Sequence, residues 1–306
     1  MKLNTPLVTI GIPTYNRSAM LKRSIESALS QNYSAIEVII SDNASTDDTQ
    51  DICQKFTRKD DRVTYFKQPT NIGAAANFSE VLKRASGEYF MWLGDDDWID
   101  ATYVNNCISV LIDDPSMALA SGAPIYYQDG KKHHDGRIFD LLEGSWFVRV
   151  VRYYAKVADN GMFYGIMRTV LIQSVEIPNT MGGDWHLIAN IVSTGKTKML
   201  TSVVVHRELG GATASYQKIA KSMGLPRIQA IFPMLTIAAG AWMSIVASGA
   251  AYKRRGALER IFLAGMVVLL TATRPIRGYL GRGRRLFERV SLVVNKWASL
   301  RMDKRL

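Results

Sequence analysis

Hydrophobic residues follow two alternating rhythms along the first hundred positions. Residues 7–12 are a short apolar run rich in β-branched side chains that stops at Pro13, the pattern of a buried strand ending in a turn. Leu21, Ile25, Ala28 and Leu29 then recur at helical spacing behind a possible cap at Ser18. The alternation continues with strands over 36–40, 63–66 and 88–93, separated by a helix from a Ser45/Thr46 cap through Phe56 and another over 74–85. This order predicts an α/β fold with a parallel sheet covered by helices on both faces, whose ligands gather beyond the carboxyl ends of the strands. Residues 117–215 are less regular, with strands expected at 118–121 and 198–206 and helices near 146–157 and 185–193.

Composition narrows the class. With 47% hydrophobic and 21% charged residues in 306, the chain can bury a sizeable core and is not a disordered protein. Cys53 and Cys107 lack CxxC or Cys/His spacing, which argues against a disulfide framework or zinc site and makes a reducing cytoplasm the expected home. The first six residues run straight into an apolar stretch with no h-region or cleavage-like site, so no secretion signal is expected. A net charge of +11 suggests nucleic acid at first sight, but its distribution does not. Residues 227–306 hold fifteen Lys/Arg and three Asp/Glu, net +12, leaving −1 for residues 1–226. The expected organisation is a near-neutral domain over 1–220 and a helical, basic region over 221–306, with no nucleic-acid partner.

Candidate chemistry lies at the strand ends. Residues 90–98 read Phe, Met, Trp, Leu, Gly, Asp, Asp, Asp, Trp, an apolar strand ending in three adjacent carboxylates. Crowded like charges call for a cation, and a hard ion such as Mn²⁺ or Mg²⁺ would accept these oxygens while leaving positions for a diphosphate. Taken alone, the run reads equally as a solvated acidic turn capping the next helix. The first strand argues against a dehydrogenase, since it leads into Gly11, Ile12 and Pro13 and offers no GxGxxG turn.

Four segments together resemble the GT-A glycosyltransferases of family 2 over about residues 7–215. They are Ile12 to Arg17 after the first strand, Ser41 to Asp48 after the second, Asn71, Ile72 and Gly73 before the third helix, and the acidic run after the fourth strand. The resemblance implies a GT-A, Rossmann-like, mostly parallel sheet flanked by helices. It implies that Pro13, Thr14, Tyr15, Asn16 and Asp42 hold the donor nucleoside, with Asn71 and Asp95 also on the donor. Asp42 to Asp48 is also sound capping chemistry, and Asn71 also reads as a turn residue ahead of Gly73. Relatives commonly show Asp-x-Asp-Asp where this chain has Gly94, Asp95, Asp96 and Asp97, so the first acid is missing or displaced by one residue. Asp96 aligns with the metal-binding acid, Asp97 either binds metal as well or orients its neighbours, and Asp95 stands in for the missing carboxylate. A Gly-Asp-Asp-Asp run is also similar to some bacterial O-antigen transferases of this family, abequosyltransferase-like ones among them.

The resemblance assigns the general base to Asp184, in Met181, Gly182, Gly183, Asp184, where relatives carry an acidic pair and Gly183 replaces the first acid. A base there would deprotonate an acceptor hydroxyl attacking the anomeric carbon opposite the leaving diphosphate, giving inversion; a helix cap is the other reading of Asp184. His206 and Arg207 follow an apolar strand and are candidates to contact the diphosphate or metal, with Gly210 to Thr213 as a closing loop.

In the tail, residues 228–252 carry no formal charge, enough for a helix of about 38 Å. Gln229, Pro233, Thr236, Gly240, Ser244 and Ser248 form a small or polar stripe, and a crossing would place the later arginines outside, contrary to the positive-inside tendency. Leu286, Val290, Val293, Trp297 and Leu300 share a helical face beside arginines, which suits anionic headgroups; a helical subdomain packed on the catalytic domain is the alternative. The whole reads as an inverting, metal-dependent hexosyltransferase-type enzyme on the cytoplasmic face of the inner membrane, peripheral or monotopic. Its expected partners are a nucleotide-sugar donor, a lipid-linked saccharide acceptor of O-antigen or polysaccharide assembly, and an anionic membrane surface. The rivals are a polyprenyl-phosphate glycosyltransferase and a GT-A-like membrane-binding protein without activity.

Overall fold

The computed structural model describes residues 5–209 and 215–274. The alternation at the start of the chain folds in order: β1 (Val8–Thr14), α1 (Ser18–Leu29), β2 (Ile36–Asp42), α2 (Thr49–Thr57), β3 (Val63–Lys67), α3 (Ala74–Lys83) and β4 (Tyr89–Trp92). β1 pairs in parallel with β2 and β4, and β2 with β3. All seven residues of β1 are buried, as a strand covered on both faces requires. The face of α1 that meets the sheet is Leu21, Ser24, Ile25 and Ala28, close to the expected stripe.

The chain continues through β5 (Trp98–Ile99), α4 (Tyr103–Asp113), β6 (Met117–Gln128), β7 (Lys131–Asp135), α5 (Trp146–Lys156), β8 (Ile166–Arg168), α6 (Thr169–Gln173), α7 (Gly183–Thr194) and β9 (Lys196–Leu209). The sheet runs β3-β2-β1-β4-β8-β6-β9-β5, with β7 on β6. β8 lies antiparallel between β4 and β6, β6 and β9 are parallel, and β5 is antiparallel to β9, so the sheet is mixed. Three residues of β8 are too few to show a period, which is why that strand carries no sequence signal. α7 is gripped at its carboxyl end by buried Arg149 of α5, whose guanidinium donates to the carbonyls of Val192 (2.9 Å) and Ser193 (3.2 Å). Burial and then the nearby Arg255 lower the Arg149 pKa to about 10, which leaves it charged at neutral pH, a cation at a helix C-terminus.

The last described segment is α8 (Tyr216–Ser222), α9 (Arg227–Ile231), α10 (Pro233–Met243), a π turn over Ser244–Ser248, a short 3-10 turn over Ala250–Tyr252 and α11 (Ala257–Ala272). The single long helix expected over 228–252 does not form. Phe232 leaves the helical region (φ −120°, ψ 59°), Pro233 starts a new helix, and Gly249 is extended. No helix among the described residues is long and apolar enough to cross a membrane. Three positions of the small and polar stripe, Gln229, Gly240 and Ser244, instead pack inward, while Ser248 is exposed. The Gln229 side-chain carbonyl accepts from the Met181 N–H at 3.0 Å, Ser244 Oγ from Asn190 Nδ2 at 3.0 Å, and a Cβ on Gly240 would sit 2.3 Å from His186 Nε2. α10 and α11 therefore share one core with α5 and α7, and α8 runs through the boundary expected at 220. The Leu286 to Leu300 face and the Gly210 to Thr213 loop lie outside the described residues.

Candidate active site

Loops at the carboxyl ends of β1, β2 and β3 knit into one floor. The Asn43 N–H bonds to Thr14 O at 2.9 Å, the Thr46 N–H to Asn16 Oδ1 at 2.8 Å, and Asn43 Nδ2 to Asn71 Oδ1 at 2.9 Å. Pro13 and Thr14 are buried at the end of β1, while Tyr15 stands 44% exposed at the mouth and Asn16 turns the chain in the left-handed region (φ 51°). Asp42 is fully buried: Oδ1 accepts from the Ser45 N–H and Oδ2 from the Tyr65 hydroxyl, each at 2.8 Å. Asn71 Oδ1 also accepts from the Gly73 N–H at 2.9 Å, bracing the positive-φ Gly73 that precedes α3, so its turn role is realised in the fold.

The acidic run forms a tight turn in which the Asp97 N–H bonds back to Gly94 O at 3.2 Å. α1 and the residue before it hold that turn. Ser24 Oγ donates to Gly94 O at 2.8 Å, Arg23 Nη2 to Asp96 O at 2.8 Å, and Arg17 Nη1 to Asp96 Oδ2 at 2.9 Å. The three carboxylates differ. Asp95 is partly buried, and burial followed by the Asp96 charge raises its pKa to about 7 against the opposing Arg17. Asp96 is partly exposed in its pair with Arg17. Asp97 points inward at 1% exposure, where Oδ1 accepts from the Glu208 N–H (3.1 Å) and Oδ2 from Arg207 Nε (3.4 Å); burial raises its pKa to about 6.

That inward turn explains Gly94. A Cβ at this position would lie 2.5 Å from Asp97 Oδ2 and 3.2 Å from Asp96 Oδ1, so the first acid of the usual family pattern has no room. Gly183, at the other missing acid, is excluded in the same way, because its Cβ would meet the Pro178 carbonyl oxygen at 2.1 Å.

β9 enters beside β5, with Trp98 opposite His206. Because neighbours on a strand face opposite sides, the expected pair separates. His206 stacks on Trp98 at 4.9 Å, with Nε2 on Asp100 Oδ1 (2.9 Å) and Nδ1 on the Tyr127 hydroxyl (3.1 Å), so both ring nitrogens are engaged away from the acidic turn. Arg207 points into the site. It lies over the Tyr164 ring at 4.1 Å, donates to the Tyr164 hydroxyl at 2.8 Å and bonds Asp97. Burial works against its charge, but Tyr164, Asp97, Tyr126 and Asp96 outweigh that and raise its pKa well above normal.

Asp184 sits in the first turn of α7, partly buried, and accepts from Asn160 Nδ2 at 2.7 Å. Burial raises its pKa, against lowering by Asn160, the Trp185 N–H and the Arg207 charge. Arg207 thus feels Asp96, Asp97 and Asp184 together, and this shared cation places residues some 90 positions apart in one basin. Asn160, Tyr126 and Tyr164 join this basin without having been singled out in the sequence. Only Asn160 carried a signal, as an Asn before Gly161.

Among the described residues no three His, Cys, Asp or Glu side chains converge as a metal cage. The arrangement fits an ion shared with a ligand: Mg²⁺-like ions take one or two protein carboxylates and complete their shell with phosphate and water. Asp96, tied through one oxygen to an exchangeable surface arginine, has the chemistry for that, with Asp95 adjacent.

The model described as glycosyl transferase family 2 matches residues 9–175. Among curated relatives, the glycosyltransferase GlyA of Streptococcus pneumoniae is 27% identical over 57% of this chain and 24% of its own length. The GalNAc(5)-diNAcBac-PP-undecaprenol β-1,3-glucosyltransferase of Campylobacter jejuni is 38% identical over 30% of each. The chain thus aligns with under a third of the length of either. Among solved structures, residues 1–349 of Staphylococcus aureus TarS superpose with a TM-score of 0.60 at 16% identity, over 90% of this chain and 73% of that one. The mannosyltransferase PcManGT of Pyrobaculum calidifontis, solved with GDP-Man and Mn²⁺, gives 0.57 at 16% identity over 97% and 84%. These likenesses establish the same α/β fold, GT-A in type.

Proposed function

The chain belongs to glycosyl transferase family 2 by a match covering more than half of it, and on that footing we propose that it transfers a sugar from a nucleotide-sugar donor to an acceptor hydroxyl with inversion. The observation that carries this reading is the basin itself, in which Arg207 bonds Asp97 of the acidic turn and the Tyr126 hydroxyl, each at 3.4 Å, and Tyr126 in turn bonds the carbonyl of Asp159, next to the Asn160 that holds Asp184.

In this reading Pro13, Thr14, Tyr15, Asn16, Asp42 and Asn71 frame the nucleoside, and Asp95 contacts the donor. Asp42, with no exposed surface and its oxygens on the Ser45 N–H and the Tyr65 hydroxyl, supports the nucleoside floor from beneath. Asp96 holds Mn²⁺ or Mg²⁺, which when bound neutralises charge growing on the leaving diphosphate. Asp97 anchors Arg207 instead of acting as a second ligand, because both its oxygens are committed inward. Asp184 takes the proton from the attacking hydroxyl: its raised pKa makes it a stronger base than an exposed aspartate, and Asn160 fixes the direction of its carboxylate. His206 supports the strand through Trp98 and Asp100 and leaves diphosphate contact to Arg207. The acceptor is a lipid-linked saccharide of polysaccharide or O-antigen assembly, and the enzyme works on an anionic membrane surface. Support comes from the basic C-terminal region and from the Campylobacter relative, whose name describes an undecaprenol-linked acceptor. The reading stays at family level and does not extend to the abequosyl subtype.

The test is Asp184→Asn, which keeps size and hydrogen bonding but removes the basic lone pair. Transfer should be abolished while donor affinity, measured by calorimetry, stays within about twofold of wild type. Retained turnover would remove Asp184 from the mechanism.

A further inference from the structure

α10 is apolar on two sides. One side, with Ile237, Ala238, Ala241 and Ser244, is buried against the catalytic domain and α11. The other presents Leu235, Ala239, Trp242 and Met243, a stripe at helical spacing in which Leu235 and Met243 are 55% and 57% exposed. Next to it in the chain Ile228 and Ile231 of α9 and the linking Phe232 are also exposed, as are Leu258 and Ile261 at the start of α11, which packs on α10. A helix facing water ordinarily carries charge on its outer side; between 228 and 252 there is none.

What surrounds the stripe identifies its partner. From 215 to 274 the exposed charges are Lys218, Lys221, Arg227, Lys253 and Arg254, all basic, while Arg255 lies over Trp146, Arg260 and Arg274 donate to the carbonyls of Val246 and Tyr154, and the one acid, Glu259, is half-buried. We infer that the α9–α10 stripe, with the start of α11, is laid into the headgroup region of an anionic bilayer, its apolar side chains among the acyl chains and its basic neighbours on the phosphates. This rests on the membrane-surface reading above and gives it a definite contact face within the folded protein, apart from residues 275–306. A second copy of the chain is a poorer partner because it would bring two basic rims together, and residues 275–306, with nine Lys/Arg and two Asp/Glu, are basic as well. The face is also coupled to the site. Ile237 packs beneath Gly182, where a Cβ would meet it at 2.6 Å, and Gln229 holds the Met181 N–H. Docking would thereby hold the start of α7, which carries Asp184, at a fixed place relative to the lipid.

The experiment is flotation of the full chain with vesicles of phosphatidylcholine alone or mixed with phosphatidylglycerol, for wild type and for Leu235→Glu/Trp242→Glu/Met243→Glu. Wild type should float with the anionic vesicles, and the triple variant should lose about tenfold or more in partitioning while keeping its melting temperature. Equal flotation of the variant would overturn the assigned face and leave the membrane reading to residues 275–306. No flotation of wild type would overturn both, and a wild-type dimer that the variant splits would assign the face to a second copy. Should the variant not fold, quenching by brominated lipid, compared between wild type and Trp242→Phe, reads the same contact: Trp242 should supply a quenched component, and its absence would overturn the proposal.

Discussion

Replacing Asn160 by glycine isolates the one side chain that orients the proposed base. Asn160 is buried and bridges two groups, donating from Nδ2 to Asp184 at 2.7 Å and accepting at Oδ1 from the fully buried Tyr153 hydroxyl at 2.9 Å. Its backbone is left-handed (φ 45°, ψ 47°), so glycine removes the side chain without straining the chain, whereas alanine would add about 1 kcal/mol or more. A hydrogen bond to a charged group is worth roughly 1.5–3 kcal/mol, and the abandoned Tyr153 hydroxyl costs about 1–3 more. Asn160→Gly should therefore lower unfolding free energy by about 2.5–6 kcal/mol, and Asn160→Ala by more. If the Asp184 share is also lost from the transition state, kcat falls on the order of 10- to 100-fold. The sign in pH is fixed: the Asn160 bond opposes the burial that raises the Asp184 pKa, so its removal raises that pKa further and moves the acid limb of the kcat profile to higher pH. Thermal melts and pH–rate profiles with saturating donor decide it. A destabilised variant with an unmoved acid limb and wild-type kcat would reduce Asn160 to a structural residue and refute its link to the base.

Other consequences follow from the packing and charge of the same region. Arg207→Met should cost about 3–5 kcal/mol in denaturant unfolding, because it strands the buried Asp97 carboxylate, and Asp97→Asn in the same chain should recover much of the loss. Gly94→Ala places a Cβ against a carboxylate pinned by Arg207 and the Glu208 N–H and should cost about 1–3 kcal/mol; a melting temperature equal to wild type would show that the acidic turn is looser than described. His186 is buried and its pKa is lowered by burial to about 4, so the folded protein binds fewer protons there than the unfolded one. Its contribution is complete above pH 6.5 and shrinks as pH falls toward 4, by about 3 kcal/mol in all. The dependence should be largely absent in His186→Gln.

The sheet was legible because β1, β2 and β4 are short, mostly apolar runs, broken only by Thr9 and Glu37 before their last residues, and their loops carry the ligand-facing residues. The separation of His206 from Arg207 follows from strand alternation but needs the register Trp98 opposite His206, which only the folded sheet supplies. Asn160 and Tyr164 were not legible as site residues, because their roles depend on contacts with Asp184 and Arg207 that no local pattern encodes. Residues 228–252 misled in the other direction. A charge-free run measures hydrophobicity, while the breaks at Phe232 and Gly249 decide how far a helix extends.

The central claim is that the floor and acidic turn form a metal-assisted nucleotide-sugar site. Titration calorimetry of the full chain with UDP-, GDP-, dTDP- and CDP-sugars, with and without Mn²⁺, tests it most directly. One nucleotide series should bind at one site per chain, Mn²⁺ should strengthen it, and Asp96→Asn should remove the Mn²⁺ enhancement while leaving the fold intact. Absence of binding by all four series in the presence of Mn²⁺, or an enhancement untouched by Asp96→Asn, would contradict it.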